Sequence, residues 1–311
     1  MRILILGAGG IGGYFGARIH RAGGDVTFLV RSARVNFLVA NGLQVFSPLG
    51  DIHFTPKIVT SARHSTSGKF DVVILACKAY DLDSAIDSIK PVLESKGVVI
   101  PLLNGFAHLA RLDAEFTRER VLGGYAHLSV ALAPGGEIWH LNDLHRLVIG
   151  SRTEPASPLI AAFSDLLAGS GIDFSLSENI EWEMWEKFIF LSVLAGATCT
   201  MRSSIGNILQ THEGEKFIHG LLEESIAIAK EYGHISRPEH FKDYRNLLTM
   251  HDSSSKASML RDIELNRRTE ADHIIGDMIR RSEVKGVDTP MLKIAYFHLH
   301  AYETRRDHEQ T

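Results

Sequence analysis

The sequence predicts an α/β domain built on a mostly parallel, doubly wound sheet, followed by an all-α domain. Two observations carry that expectation. The first half of the 311 residues alternates short β-branched runs with helical stretches. After Ser177 the apolar period changes to that of long amphipathic helices, which sets domains at 1–176 and 177–311. The length suits two domains that bury their cores without staples.

The strands of the parallel core are expected at 2–6, 25–30, 70–76 and 97–103. Between the second and third, the Pro48-Leu-Gly-Asp turn in 42–54 reads as a hairpin insertion of no evident role. Residues 121–150 read as further strands around the Pro134-Gly-Gly turn, 156–169 as a helix, and 172–176 as a last strand. Helices are expected over 179–200, 213–232, 238–250, 256–283 and 289–304, with breaks at Gly233, Gly286 and Pro290.

Composition narrows the function. With 45% hydrophobic residues, 23% charged residues and a net charge of -4, the chain is globular and has no basic surface for nucleic acid. The two cysteines, Cys77 and Cys199, suit a reducing cytoplasm and give no zinc spacing. The 16 histidines, among them His140, His145, His298 and His300, form no metal-binding helix motif and read mostly as surface residues. The apolar N-terminus, Ile3-Leu-Ile-Leu6, runs straight into glycines and reads as a strand, not a signal peptide. The longest apolar stretch, Phe188 to Met201, falls short of the roughly 20 residues a membrane span needs and reads as a buried helix.

Gly7-Ala-Gly9-Gly-Ile-Gly12 follows the first strand and opens a helix through Tyr14, Phe15, Ala17 and Ile19, the context of a dinucleotide-binding, Rossmann-type domain. Gly7 permits the turn, Gly9 lets the backbone approach a pyrophosphate, and Gly12 lets helix pack on strand. The amides of the loop, Gly10 and Ile11 included, then face anionic oxygens. NAD sites place an acid about 20 residues further on; here the second strand runs into Arg31-Ser-Ala-Arg34, which suits the 2′-phosphate of NADP(H). Lys78 and Asn104 stand at carboxyl ends of strands, where ligands of such sheets collect.

Reducing a ketone by hydride requires a placed proton donor. In Trp182-Glu-Met-Trp-Glu-Lys187-Phe-Ile-Phe, Lys187 sits at the edge of an apolar face where burial could bring its pKa into a useful range. A surface pair of Glu183 with Lys187 is the other reading of the same spacing.

The order GAGGIG, Arg31, CKAY, NG, WEKF and Ser258-Met-Leu-Arg-Asp-Ile…Arg267-Arg-Thr-Glu270 resembles the ketopantoate reductases over nearly the whole chain. The resemblance implies NADPH-dependent reduction of a small 2-oxo acid, above all 2-dehydropantoate to pantoate in pantothenate synthesis. It implies Lys187 as general acid, Glu270 as the group that holds the substrate hydroxyl and orients the lysine, and Ser258 as the carboxylate anchor. Asn104 and Lys78 would line the same crevice from the first domain. Gly7, Gly9, Gly10, Ile11, Gly12 and Arg31 would hold the cofactor, with Lys78, Asn104 and Glu270 beside it.

An unbroken helix would part Ser258 from Glu270 by roughly 18 Å, so a shared site requires an interruption, expected near Asn266 as a left-handed cap. Family asparagines one and two turns after the lysine are replaced by Leu191 and Ala195, and another by Ser255. Those changes favour chemistry over substrate identity and keep a more apolar 2-oxo acid open as the substrate. A non-catalytic NADP-binding protein is the alternative of another class. A 6-phosphogluconate-type dehydrogenase ranks below it, because Leu191 stands where that group places asparagine. No metal, nucleic acid or membrane partner is expected, and the oligomeric state, a homodimer included, is left open.

Overall fold

The computed structural model describes residues 1–60, 68–153, 157–235 and 237–310. Its first sheet has the order β5-β2-β1-β6-β7, every pair parallel. The strands are β1 (Arg2–Leu6), β2 (Asp25–Leu29), β5 (Lys57–Val59), β6 (Phe70–Leu75) and β7 (Leu93–Pro101). The short edge strand β5 is absent from the sequence expectation: three residues are too few to show a period. Order reverses between β1 and β6, the switch point at whose carboxyl ends a ligand crevice forms. There Ala76 N donates to Leu6 O at 3.1 Å, so the glycine loop lies beside the chain leaving β6.

A second sheet occupies the same unit. The expected hairpin forms as β3 (Leu43–Phe46) and β4 (Ile52–Phe54). The Pro134-Gly-Gly turn joins β8 (Gly123–Leu132) to the long β9 (Ile138–Gly150), antiparallel along their length. The other edge of β9 takes β3 at its start and β10 (Asp173–Leu176) at its end, both parallel. Helices α2 (Ser32–Asn41), α3 (Leu82–Ile89) and α4 (Ala107–Phe116) follow β2, β6 and β7 in the chain. Helix α5 (Pro158–Ala168) is capped by Ser157, whose side chain accepts from Ile160 N; the start expected at 156 lies outside the described residues.

Helix α1 (Gly10–Arg21) packs between the two sheets, which explains its glycines beyond the fingerprint. A Cβ on Gly13 would come within 2.2 Å of Ile138 Cδ1 on β9. One on Gly12 would meet Gly7 O at 2.1 Å and Ala76 Cβ at 2.9 Å, on the side of the parallel sheet. Tyr14, Phe15, Ala17 and Ile19 are fully buried in the core between the sheets.

The hairpin's role is to close the outer side of α1. Arg18, 1% exposed, donates to Leu49 O at 3.1 Å and to Ser47 Oγ at 3.2 Å, and its guanidinium lies over the Tyr14 ring. Ser47 Oγ bonds His140 Nδ1 at 2.9 Å, and Tyr14 Oη bonds His145 Nδ1 at 3.1 Å. Two of the histidines expected at the surface thus serve a half-buried network between helix and β9, His140 itself being buried.

The helical unit starts with α6 (Ile180–Met201), buried around nearly its whole circumference from Met184 to Cys199. It continues with α7 (Ile205–Leu209), too short to be expected, α8 (Gly214–Glu231) and α9 (Pro238–Thr249). The single helix expected over 256–283 is three pieces: α10 (Ser258–Glu264), a π turn over Asp272–Gly276, and α11 (Asp277–Lys285). The break is the one expected: Asn266 has φ +50°, Asn266 N donates to Ile263 O at 3.0 Å and Arg267 N to Asp262 O at 2.8 Å, a left-handed helix stop. Helix α12 (Pro290–Gln310) has its first amides held by Glu224 of α8, at 2.8 and 2.9 Å.

The chain divides into two compact units, 1–103 with 108–180 and 104–107 with 181–311. The boundary expected after 176 falls four residues later, because β10 and the chain after it still pack with β9, as Ser177 N bonds Ile149 O at 2.8 Å. Asn104, assigned to the first domain from sequence, belongs to the helical unit. Among the described residues no helix is long and apolar enough to cross a membrane.

Two outcomes are expected. Gly13→Ala forces Ile138 out of place and lowers stability by about 1–3 kcal/mol, read as the urea midpoint. Burial, then Arg18 and His140, hold His145 below its ordinary pKa of 6.5. The folded state therefore keeps it neutral while the unfolded chain takes up the proton first. Its contribution is whole above about pH 6.5 and is lost as pH falls through the lowered value; His145→Gln should flatten the dependence of the urea midpoint on pH below 6.5.

Candidate active site

In the helical unit the site is built on α6. Its buried stretch from Met184 to Cys199 contains two charged residues, Glu186 and Lys187, each with a partner. Glu186 accepts from Arg237 in a bidentate pair, Nε to Oε1 at 3.0 Å and Nη2 to Oε2 at 2.9 Å. Such a pair compensates the carboxylate for lost water. Lys187, 7% exposed, donates through Nζ to Asn104 Oδ1 at 3.1 Å. Burial disfavours the charged amine and brings the Lys187 pKa from 10.5 down to about 7. A lysine with that value is part protonated at neutral pH and can give a proton to a developing alkoxide.

Asn104 is brought to Lys187 by a tight turn. Gly105 has φ +81°, and Phe106 lays its ring on Trp185 and Phe188 at centroid distances of 5.0 and 5.7 Å. Arg281, held by Asp277 at 2.9 Å, sits over Phe106, Trp185 and Tyr232 at 5.3–5.5 Å and fixes the aromatic group from the other side.

Glu270 is 6% exposed and lies in the stretch between the Asn266 stop and the π turn. That stretch is anchored to α12: Thr269 N and Oγ1 both donate to Glu303 Oε1, at 2.7 and 2.6 Å, and Tyr302 Oη donates to Arg267 O at 2.8 Å. Ser258 is the first residue of α10 and is exposed. Leu191 is half-buried on α6 and Ala195 buried. His273, which sequence reasoning passed over, hydrogen-bonds the main chain of Asn104 and feels the charge of Glu270. No motif marks it; only the contact does.

In the α/β unit, a Cβ on Gly9 would meet no described atom within 4 Å, whereas one on Gly12 would clash with the strand side. The loop thus leaves room in front of Gly9 at the N-terminus of α1, and its residues fit a dinucleotide pyrophosphate. Gly10 opens α1, and Ile11 packs partly into the core. Of the two arginines after β2, Arg34 turns inward, Nη2 to Gly136 O at 2.6 Å and Nε to Ala8 O at 3.2 Å. Arg31 stays 75% exposed and pairs with Asp81 at 2.6 Å. Lys78 precedes the short 3-10 turn Ala79–Asp81, beyond the carboxyl end of β6. Cys77 is half-buried beside it; Cys199 is buried, and burial pushes its thiol up to about 12.

Burying Lys187 also has a cost that titrates. Its folded pKa of about 7 lies below its ordinary 10.5, so its contribution to stability is whole above 10.5 and is lost as pH falls through 7. Lys187→Met should melt above the wild type at pH 6, with the gap closing as pH approaches 10; a gap independent of pH would show that the amine is not desolvated.

The family model described as ketopantoate reductase PanE/ApbA matches residues 3–154, and that of its C terminal part matches 179–303. An uncharacterized oxidoreductase, YkpB of Bacillus subtilis (strain 168), is 35% identical over 98% of this chain and 100% of its own length. A 2-dehydropantoate 2-reductase of Streptococcus pyogenes serotype M3 is 25% identical over 97% of this chain and 98% of its own. Among solved structures, a D-mandelate dehydrogenase with NADH and anilino(oxo)acetate shares the fold with a TM-score of 0.89, at 22% identity over 99% of this chain and 100% of that one. The chain belongs to the ketopantoate reductase family, as an oxidoreductase of the 2-dehydropantoate 2-reductase type that works with a nicotinamide cofactor.

Proposed function

We propose that this protein reduces a 2-oxo acid to the 2-hydroxy acid with NADPH, with 2-dehydropantoate as the first substrate to test and Lys187 as the general acid. The observation that carries this reading is the buried Lys187 amine, brought to a pKa of about 7 and aimed by Asn104. The nicotinamide cofactor supplies the hydride. Lys187 gives its proton to the oxygen of the substrate carbonyl as that oxygen gains charge, and Asn104 Oδ1 keeps the amine pointed while it does so. Glu270 takes the substrate hydroxyl and Ser258 its carboxylate, the latter from the exposed first turn of α10. Gly7, Gly9, Gly10, Ile11 and Gly12 hold the pyrophosphate, and Lys78 lies at the same strand ends.

We assign the selection of NADPH to Arg31. Arg34 is committed to two carbonyls, whereas Arg31 is exposed and needs only to leave Asp81 to meet a 2′-phosphate. With 2-dehydropantoate as substrate, the product feeds pantothenate synthesis in the cytoplasm. A more apolar 2-oxo acid is the second reading. It is favoured by Leu191 and Ala195, which remove two amides along the helix after Lys187.

The test is the initial rate of NADPH oxidation with 2-dehydropantoate and with smaller and more apolar 2-oxo acids. Lys187→Ala should lower kcat by about 10²–10⁴-fold on whichever acid is used. The wild-type rate should fall as pH rises through about 7, as the lysine loses its proton. Arg31→Ala should lower the preference for NADPH over NADH by about 10-fold or more. Undiminished turnover by Lys187→Ala would remove the lysine from the mechanism.

A further inference from the structure

We propose that His273 is a positioning residue for Lys187, acting through the main chain of Asn104; the inference rests on Lys187 as the proton donor. Residues 104–107 are the one stretch from before residue 181 that packs within the helical unit. So short a stretch has little of its own to fix it, and its conformation is set by what it touches. The Asn104 side chain is taken by Lys187 Nζ at 3.1 Å. Its main chain is taken by the His273 ring, whose N–H donates to the carbonyl. The two acceptors of one residue are thereby filled from two different elements, α6 and the π turn.

The fit at Gly105 shows how closely these parts approach. A Cβ there would lie 3.1 Å from His273 O, 3.5 Å from its ring and 3.6 Å from the Phe188 ring. The turn is thus pressed onto the π turn on one side and onto α6 on the other. Phe106, its ring tilted against Trp185 and Phe188, extends the cover along α6 on either side of Lys187 in sequence. Freeing the Asn104 carbonyl loosens the piece of chain that points the amide at Lys187 and keeps water from it.

The state of the ring agrees with this part. Burial lowers the His273 pKa, and the charges of Glu270, Asp277 and Asp272 and the bond to Asn104 offset it in part, leaving the net shift downward. A neutral imidazole has one N–H to give, and a carbonyl is a suitable acceptor. Glu270 lies just before the π turn that carries His273, and His273 N and Ile274 N both donate to Glu270 O at 3.1 Å. Wider turns of this kind recur at functional sites because they re-aim side chains.

The experiment follows the Lys187 side chain by NMR in protein carrying [13Cε]lysine, its resonance assigned with Lys187→Met. In the wild type the resonance should titrate near 7. In His273→Phe, which keeps a ring and loses the donor, water reaches the amine and the midpoint should rise by about one unit or more, with kcat lowered about 10-fold. His273→Gln, whose amide can still donate, should return both toward the wild type. A wild-type midpoint in His273→Phe, or a glutamine variant no different from the phenylalanine one, would overturn the proposal. If His273→Phe does not fold, Gly105→Ala decides: its methyl separates Asn104 from His273 and should raise the midpoint in the same way, and an unmoved midpoint overturns it. The titration needs no substrate, so a Lys187 that proves idle in turnover is told apart from a His273 that does not position it.

Discussion

Lys187 is a cation that α6 has no room to solvate. Nearly every other side chain from Met184 to Cys199 is packed away from water, and a charged amine among them is unfavourable unless it finds a countercharge or gives up its proton. Glu186, one residue earlier, finds its countercharge in Arg237. Lys187 donates to the amide oxygen of Asn104, and burial brings its pKa down to about 7. That difference between adjacent residues separates a structural ion pair from a group able to move a proton. The turn at Gly105 carries Asn104 to that amine, and Phe106 after it packs on the aromatic group under Arg281.

Much of this was legible in the sequence where local rules decide it. The glycine loop could be read because it lies between a strand and a helix, and each glycine has a steric reason that a single residue carries. The stop at Asn266 could be read because a residue that tolerates positive φ stood inside a long helical pattern, between two side chains that the family resemblance assigns to one site. The span of α8, expected over 213–232, and the start of α12 at Pro290 followed from apolar period and from glycine and proline punctuation, whereas α12 runs six residues past the expected 304.

What could not be read depends on contacts between residues far apart in the chain. The hairpin at 43–54 looked like an insertion because nothing local says that β3 pairs with β9, or that Arg18 needs the carbonyl of Leu49. Asn104 follows a strand of the parallel sheet, so its sequence neighbours place it there; the packing of Phe106 on Trp185 and the bond to Lys187 place it with the helices. His273 carries no motif, and only its bond to the Asn104 main chain sets it apart from the other histidines. The arginines were readable as a pair but not as individuals, because only the fold shows that one is consumed by carbonyls and the other is not.

The packing of α1 between two sheets also bears on the order in which the chain can fold. The face of the helix toward the parallel sheet meets β1 and β2, which flank it in sequence, so that side can form early. The opposite face, at Gly10 and Gly13, is covered by Val130 and Ile138, which leave the ribosome more than a hundred residues later. Until then the glycine-rich helix has a bare side and the hairpin has no strand to join. A nascent chain of this protein therefore completes the packing around its glycine loop only after most of the α/β unit has been made, and the waiting apolar face is the segment a chaperone would shield.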